Sequence, residues 1–314
     1  MKSYRVKLKF KGPVHFGYKE KMDNVTEYIV HSDTLFSGIL NCYSLLYGKK
    51  RTDEIVERVL CEDLPFKLSS AFLYIDEEYL IPKPINLDLS AVVGDFKKAK
   101  KIRYVPLDYS YKQAKSEVYI KGPIMITKNY DRIFSIDERP RVTLDRIEHS
   151  SEIYYLSSCT FGENVGLWFY LDVYDTGIEK EIQAAIRLLG DEGLGGERTY
   201  GFGLFCVDFC EEKDNFDLES DQYLLLSLFL PSEDDDLKDG LISYELTERG
   251  GYVYSPFSSN LKKKKVRMFL EGSVFKKKYN GKIADVTPDN FNTHKVLRYG
   301  IPYWKPILLS GQRG

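Results

Sequence analysis

The chain has 314 residues, enough for two domains of ordinary size. With 43% hydrophobic and 29% charged residues its composition is globular, which excludes a wholly disordered chain. Its 45 basic and 47 acidic residues leave a formal charge of −2; this excludes coating of nucleic acid by bulk charge but leaves room for a local basic groove.

No apolar run approaches the ~20 residues needed to span a membrane. Cys42, Cys61, Cys159, Cys206 and Cys210 form no C-x-x-C pair, and no secretory signal pattern precedes them. They are expected to be reduced thiols in a cytoplasmic protein.

In chain order, Tyr4, Val6, Leu8 and Phe10 alternate with Arg5, Lys7, Lys9 and Lys11, which predicts a strand with one apolar and one basic face. Like charges in a row repel, so the basic face suggests an anionic partner, with a solvated face as the plainer alternative. A helix is predicted from Ser32 or Asp33, with Leu35, Phe36, Ile39, Leu40, Tyr43, Leu46 and Tyr47 as its buried stripe and Gly48 as its stop. A short helical segment over Thr52–Leu60 and a strand over Phe72–Ile75 follow.

From Pro82 to about Arg146 the periodicity dissolves between prolines at 82, 84, 106, 123 and 140. Lys97, Lys98, Lys100, Lys101 and Arg103 form a basic cluster there, and Arg132, Arg139, Arg141 and Arg146 come later. So long an irregular stretch is expected to be an insertion carrying a short helix or hairpin. Strands are predicted over Glu152–Ser158 and Gly166–Val173. Ile178, Ile182, Ala185, Ile186 and Leu189 then give a second helix up to Gly190. A strand over Gly203–Phe209 closes the series. With the insertion removed, the order is β-α-β-β-α-β, a ferredoxin-like domain. Residues 211–220 read as a linker, dividing the chain into 1–215 and 216–314. The second part is strand-rich, with strands expected at Tyr223–Leu230, Tyr252–Tyr254 and Met268–Phe275.

Between the second helix and the last strand of the first domain lies Gly193-Leu-Gly-Gly-Glu-Arg-Thr-Tyr-Gly-Phe-Gly203. It has no Gly-Lys-Ser/Thr ending and therefore is not a Walker A loop. A dinucleotide fingerprint follows a strand and opens a helix, the reverse of the order here. An ordinary αβ turn needs one or two glycines, not this many. A phosphate-facing loop fits better, with N–H groups near Gly195 and Gly196, charge from Arg198 and a base stacked on Tyr200 or Phe202. The run Tyr200–Phe205 is only weakly like the aromatic signature of RNA-binding RRM sheets.

The four histidines, His15, His31, His149 and His294, have no metal-ligand spacing. No metal and no cofactor is implied. Metal-independent RNA cleavage with His31 or His15 as acid or base stays open as the alternative. For His31 the plainer assignment is a helix N-terminal residue without chemistry.

Four segments together resemble the RAMP superfamily of type III CRISPR effector complexes, most closely the fourth-subunit family of the type III-A (Csm) complex. They are the first strand running into Pro13-Val-His-Phe-Gly17, His31-Ser-Asp-Thr-Leu-Phe-Ser-Gly38, the glycine loop, and Arg139-Pro-Arg-Val-Thr-Leu-Asp-Arg146, which resembles the end of the family's inserted thumb. The resemblance runs the whole chain in order. It implies two ferredoxin-like (RRM-like) domains in an α+β fold, the first with a thumb insertion at about 82–146, the second degenerate. It implies a non-catalytic subunit that binds the 5′ repeat-derived tag of the guide RNA. Such a subunit would join the large polymerase/cyclase subunit to a backbone RAMP subunit and meet target RNA only indirectly. The residues then expected at RNA are His15, Phe16 and Gly17 after the first strand, and Ser32 and Thr34 at the helix N-terminus. Arg139, Arg141 and Arg146 would serve from the thumb, with Gly195, Gly196, Arg198, Tyr200, Gly201 and Gly203 on the loop. The Lys97–Arg103 cluster matches no family motif and is expected at RNA or at a subunit interface.

Overall fold

The computed structural model describes residues 1–17, 25–61, 63–110, 118–145, 150–212, 220–254 and 261–307. β1 (Lys2–Phe10), α1 (Ser32–Leu60), β2 (Phe72–Ile75), β3 (Val165–Val173), α2 (Glu179–Glu192) and β4 (Phe205–Glu212) follow one another as β-α-β-β-α-β. In space the strands lie in the order β4-β1-β3-β2, each antiparallel to its neighbour. Beyond β2 the sheet continues through Glu78–Pro82, Tyr104–Pro106, Ile124–Ile126 and Tyr119–Lys121.

The alternation of β1 sets which side is core. Tyr4, Val6 and Leu8 are buried with Leu167, Phe169 and Leu171 of β3, beneath Phe36 and Ile39 of α1 and Ile182 and Ile186 of α2. Each such side chain contributes about 1.5–3 kcal/mol through burial. α1 is broken at Gly48, whose φ of 79° no helix accommodates. The buried stripe ends sooner than the sequence predicts: Leu46 and Tyr47 are 45% and 38% exposed. α2 runs past Gly190, which is buried against Phe205, and stops at Gly193 with φ 86°.

The other face of the sheet is covered as well. Trp168 and Tyr170 of β3 and Phe72 and Tyr74 of β2 pack beneath Leu224, Leu226, Val274 and Tyr303 from the C-terminal part. The rings of Tyr170 and Tyr303 stack with centroids 5.3 Å apart. This accounts for a central strand buried on both sides, and it corrects the expectation for the basic row of β1. Arg5 pairs with Glu212 and lies 4.3 Å over the Tyr79 ring, and Lys7 pairs with Glu77 at 3.2 Å. Lys11 approaches Asp191 at 3.7 Å, while Lys9 is exposed. Most of the row is therefore engaged within the chain.

The insertion holds both a helix and a hairpin. Short helices at Ser90–Val93 and Phe96–Lys101 precede an arm in which Phe134–Asp145 pairs with Ser150–Phe161. The strand expected at Glu152–Ser158 thus belongs to the arm and not to the central sheet. The arm is rooted by paired 2.8 Å hydrogen bonds between Val14 and Cys159. Farther out, Val142, Ile153 and Tyr155 lie exposed on one face.

Among its described residues the C-terminal part has no α-helix. Leu241–Ser243, Val274–Phe275, Tyr223–Leu225 and Trp304–Pro306 form one sheet in that order. The strand expected over Met268–Phe275 is split by Glu271 and by Gly272, whose φ is 92°. The one expected at Tyr252–Tyr254 is a single bridge, Tyr252 to Lys262. Most of the expected linker, 213–219, lies outside the described residues.

Candidate nucleic-acid interface

The glycine loop is pressed onto the segment that leaves β1. Gly196 N–H donates to the His15 carbonyl at 2.8 Å, and Gly203 N–H to the Pro13 carbonyl at 3.0 Å. A Cβ on Gly195 would stand 2.5 Å from the His15 carbonyl oxygen, and one on Gly196 2.9 Å from the His15 ring. The glycines at these positions serve close approach within the chain. That revises the expected phosphate cradle, since the Gly196 N–H is already spent on His15. Gly201 differs: its φ is 78° and a Cβ there would meet nothing, so it serves the turn alone.

His15 is the wedge between loop and arm. It is 8% exposed, and its Nδ1 lies 2.8 Å from the Ser157 carbonyl of the arm. Phe16 is buried against Gly195, and Gly17 is exposed beside it.

The outward side of the loop carries polar and aromatic groups. Glu197, in the left-handed region at φ 58°, pairs with Arg141 of the arm at 3.0 Å. The Arg141 guanidinium lies 4.3 Å over the ring of Tyr200, which is 67% exposed. Arg198 lies 4.3 Å over the ring of Tyr254, from the C-terminal part. Arg139 is exposed nearer the root of the arm, and Arg146 lies outside the described residues.

A cleft of about 1310 Å³, reached by Gly17 and Tyr252, opens between the two parts of the chain. Seven Lys or Arg side chains line it, including Lys83, Lys100, Arg103 and Lys263, against the four carboxylates Glu27, Glu245, Glu248 and Glu271. Lys100 and Arg103 bring the Lys97–Arg103 cluster to this wall, on a helix capped by the Asp95 carboxylate. Burial, with Arg298 and Arg249 nearby, pushes the Lys263 ammonium down to about 8.

The N-terminus of α1 does not present a phosphate site. Ser32 is fully buried; its Oγ accepts from Leu228 N–H at 3.0 Å, and its N–H donates to Ser70 Oγ at 2.8 Å. The expected Ser32 donor is therefore withdrawn into the core. Thr34 reaches the cleft wall, where its hydroxyl accepts from Arg249 at 3.2 Å. Asp33 is buried between Arg249, at 2.9 Å, and Arg298. Burial opposes its charge, but the two guanidiniums prevail and hold its carboxyl well below the usual range.

His31 lies between two carboxylates, with Nδ1 2.9 Å from Glu271 and Nε2 3.2 Å from Glu27. Burial works against the imidazolium, yet Glu271 and Glu27 outweigh it and raise the pKa to about 10. A ring held protonated at neutral pH has no lone pair with which to act as a general base.

The structure thus brings His15, Phe16, Gly195, Gly196, Gly203 and Arg141 around one loop, and places Gly17 and Thr34 at the adjoining cleft. Sequence reasoning missed Tyr254, Arg249, Lys263, Glu271 and Arg298. The one available signal was in Tyr252-Val-Tyr254, where two exposed aromatics flank a buried Val253.

The RAMP superfamily model matches residues 7–206, and the model of the CRISPR Csm4 C-terminal domain matches residues 218–307. The CRISPR system Cms protein Csm4 of Methanocaldococcus jannaschii is 27% identical, over 98% of this chain and 97% of its own length. That of Thermococcus onnurineus is 30% identical, over 79% of this chain and 82% of its own. Among solved structures, the fold matches a chain of a Csm3-Csm4 subcomplex from a type III-A CRISPR-Cas interference complex. The TM-score is 0.66 at 23% identity, over 98% of this chain and 100% of that one. A chain of a Csm1-Csm4 cassette in complex with cA4 matches with TM-score 0.64 at 23% identity, over 99% and 100%.

Proposed function

The chain belongs to the RAMP superfamily and, within it, to the Csm4 proteins of type III-A CRISPR systems, and from that membership we propose that it is a non-catalytic, RNA-binding subunit of the effector complex. It holds the 5′ repeat-derived tag of the guide RNA in the cytoplasm. It joins the large polymerase/cyclase subunit to a backbone RAMP subunit and meets target RNA through the guide. The Csm1-Csm4 and Csm3-Csm4 pairings of the structural relatives support both protein partners. In this reading residues 1–215 and 216–314 are two ferredoxin-like units, the second reduced to its strands.

The observation that carries the RNA reading is a basic cleft lined by Gly17, the residue next to the Phe16 on which the glycine loop rests. The glycine loop bears Arg198 and Tyr200 with Arg141 of the arm set against them, and the cleft has cations in excess of carboxylates. A single strand tracks a basic groove through its phosphates and rests its bases on aromatic rings. The central sheet, by contrast, is covered on the face an RRM would use. The protonated His31 argues against its service as the general base of an RNA cleavage.

The test is a titration of the full chain with labelled single-stranded RNA, with and without the repeat-derived tag, between about 50 and 200 mM salt. Tagged RNA should bind more tightly, and its affinity should fall linearly with salt on logarithmic axes. Lys263→Ala should lower that slope by about 0.7, one phosphate contact on a single strand. Salt-independent affinity would overturn the reading, as would RNA cleavage in EDTA that is abolished by His31→Ala.

A further inference from the structure

We propose that Tyr200 and Tyr254 are two stacking platforms, each backed by an arginine, that hold two unpaired bases of the guide strand; this rests on the RNA-binding function above. Tyr200 is 67% exposed with the Arg141 guanidinium 4.3 Å over its ring, and Tyr254 is 62% exposed with Arg198 4.3 Å over its ring. In each pair the arginine comes from a different part of the chain than the ring. Arg141 reaches from the arm to the loop, and Arg198 from the loop to the C-terminal part. The two contacts therefore join three segments at one outer surface, and each ring keeps one face for a ligand.

That arrangement does little for the core. Both rings are mainly in solvent, and Tyr252 and Tyr254 flank a buried Val253 that already anchors the segment. Instead, the pairs are held in place from behind. Arg141 is fixed by Glu197 at 3.0 Å, and Glu197 is a non-glycine residue at φ 58°. A side chain kept in that strained region to orient a neighbour is a feature of binding sites. Cation–π pairing fixes the plane of each ring; the Arg141 edge is held by Glu197, and the Arg198 edge is the one turned to a phosphate.

The ligand class follows from what the loop has left to offer. The N–H groups of Gly196, Tyr200, Gly201 and Gly203 already donate within the chain, to the carbonyls of His15, Glu197, Arg198 and Pro13. The surface presents aromatic faces and a guanidinium edge, which match stacked bases on a phosphate backbone. Stacking of this kind tolerates any base, so the two platforms add affinity and register without reading sequence.

The test uses the full chain and short single-stranded RNAs carrying 2-aminopurine at successive positions. Two positions should show fluorescence quenching on binding. Tyr200→Leu should relieve one and Tyr254→Leu the other, each with about 10-fold weaker binding and an unchanged salt slope. Both rings are exposed, so thermal melts should be unaltered, which separates lost stacking from lost folding. RNA that binds with its salt slope while neither tyrosine affects any reporter overturns the platforms and leaves the RNA reading standing. Absence of any RNA binding overturns both. A Tyr254→Leu variant that binds RNA normally but loses the large subunit assigns the ring to a protein interface and overturns the proposal.

Discussion

Gly203 and Gly201 are two residues apart and both have positive φ, 76° and 78°, but only one is hemmed in. A Cβ on Gly203 would run into the backbone of Leu194, whereas one on Gly201 would meet nothing. An L-residue in the left-handed region costs about 1–2 kcal/mol. Gly201→Ala should therefore lose about that much stability and keep its RNA affinity. Gly203→Ala adds a backbone clash and breaks the contacts that seat the loop on Pro13, so a loss of about 3 kcal/mol or more is expected. Urea unfolding of the two variants checks the difference, and equal losses would show that the loop can shift freely. Gly196→Ala carries no left-handed strain, and its nearest obstacle is the buried His15 ring at 2.9 Å.

At the scale of elements, the N-terminus of α1 works as a latch. His31 and Asp33 reach Glu271, Arg249 and Arg298, partners 216 to 265 residues away along the chain. Removing one member of such a buried set leaves the others unpaired, so Asp33→Asn should cost about 3–5 kcal/mol at neutral pH. The pH dependence has two limbs. His31 is raised from 6.5 to about 10, so its contribution is complete below pH 6.5 and is lost as the pH climbs toward 10. Asp33 is lowered from 3.8, so its contribution is present above that pH and is lost as the pH falls below it. Thermal melts should show greatest stability between these limits. His31→Gln should be less stable at neutral pH, since Glu271 and Glu27 lose their counter-charge, and should have a shallower alkaline limb. An alkaline limb identical to that of the unsubstituted chain would refute the latch.

The same element shows what was legible beforehand. The apolar stripe from Leu35 to Tyr43 has a local period, and its burial follows from sequence. Ser32 or Asp33 was expected to cap the helix, and Ser32 and Thr34 to meet phosphate, but residue type cannot reveal that the partner of Asp33 lies 216 residues away. The glycine loop was legible as a special backbone for the same local reason. That its glycines accommodate His15 and Phe16, more than an external ligand, depended on a tertiary contact. Leu46 and Tyr47 keep the helical period but stand exposed because the break at Gly48 ends the packed face.

At the scale of the whole molecule, one sheet is shared between two covers. The helices take one face, and the C-terminal part takes the other, through Trp168, Tyr170 and Tyr303. Together with the latch, this ties the stability of each part to the other. The two tryptophans of the chain lie on either side of that contact, Trp168 beneath the C-terminal cover and Trp304 within it. Trp168 lies fully buried in the central sheet with its indole N–H on the Leu80 carbonyl at 3.0 Å. Trp304 lies in the C-terminal sheet with its N–H on the Tyr279 carbonyl at 2.9 Å. In urea, Trp168→Phe and Trp304→Phe each leave one reporter, and their fluorescence transitions should superimpose on that of circular dichroism, as coupled parts require. Asp33→Asn should move both transitions to lower urea together. If the fluorescence transitions move while the helical circular-dichroism signal stays, the C-terminal part unfolds on its own, and the face of the sheet that Trp168 occupies becomes open to a ligand.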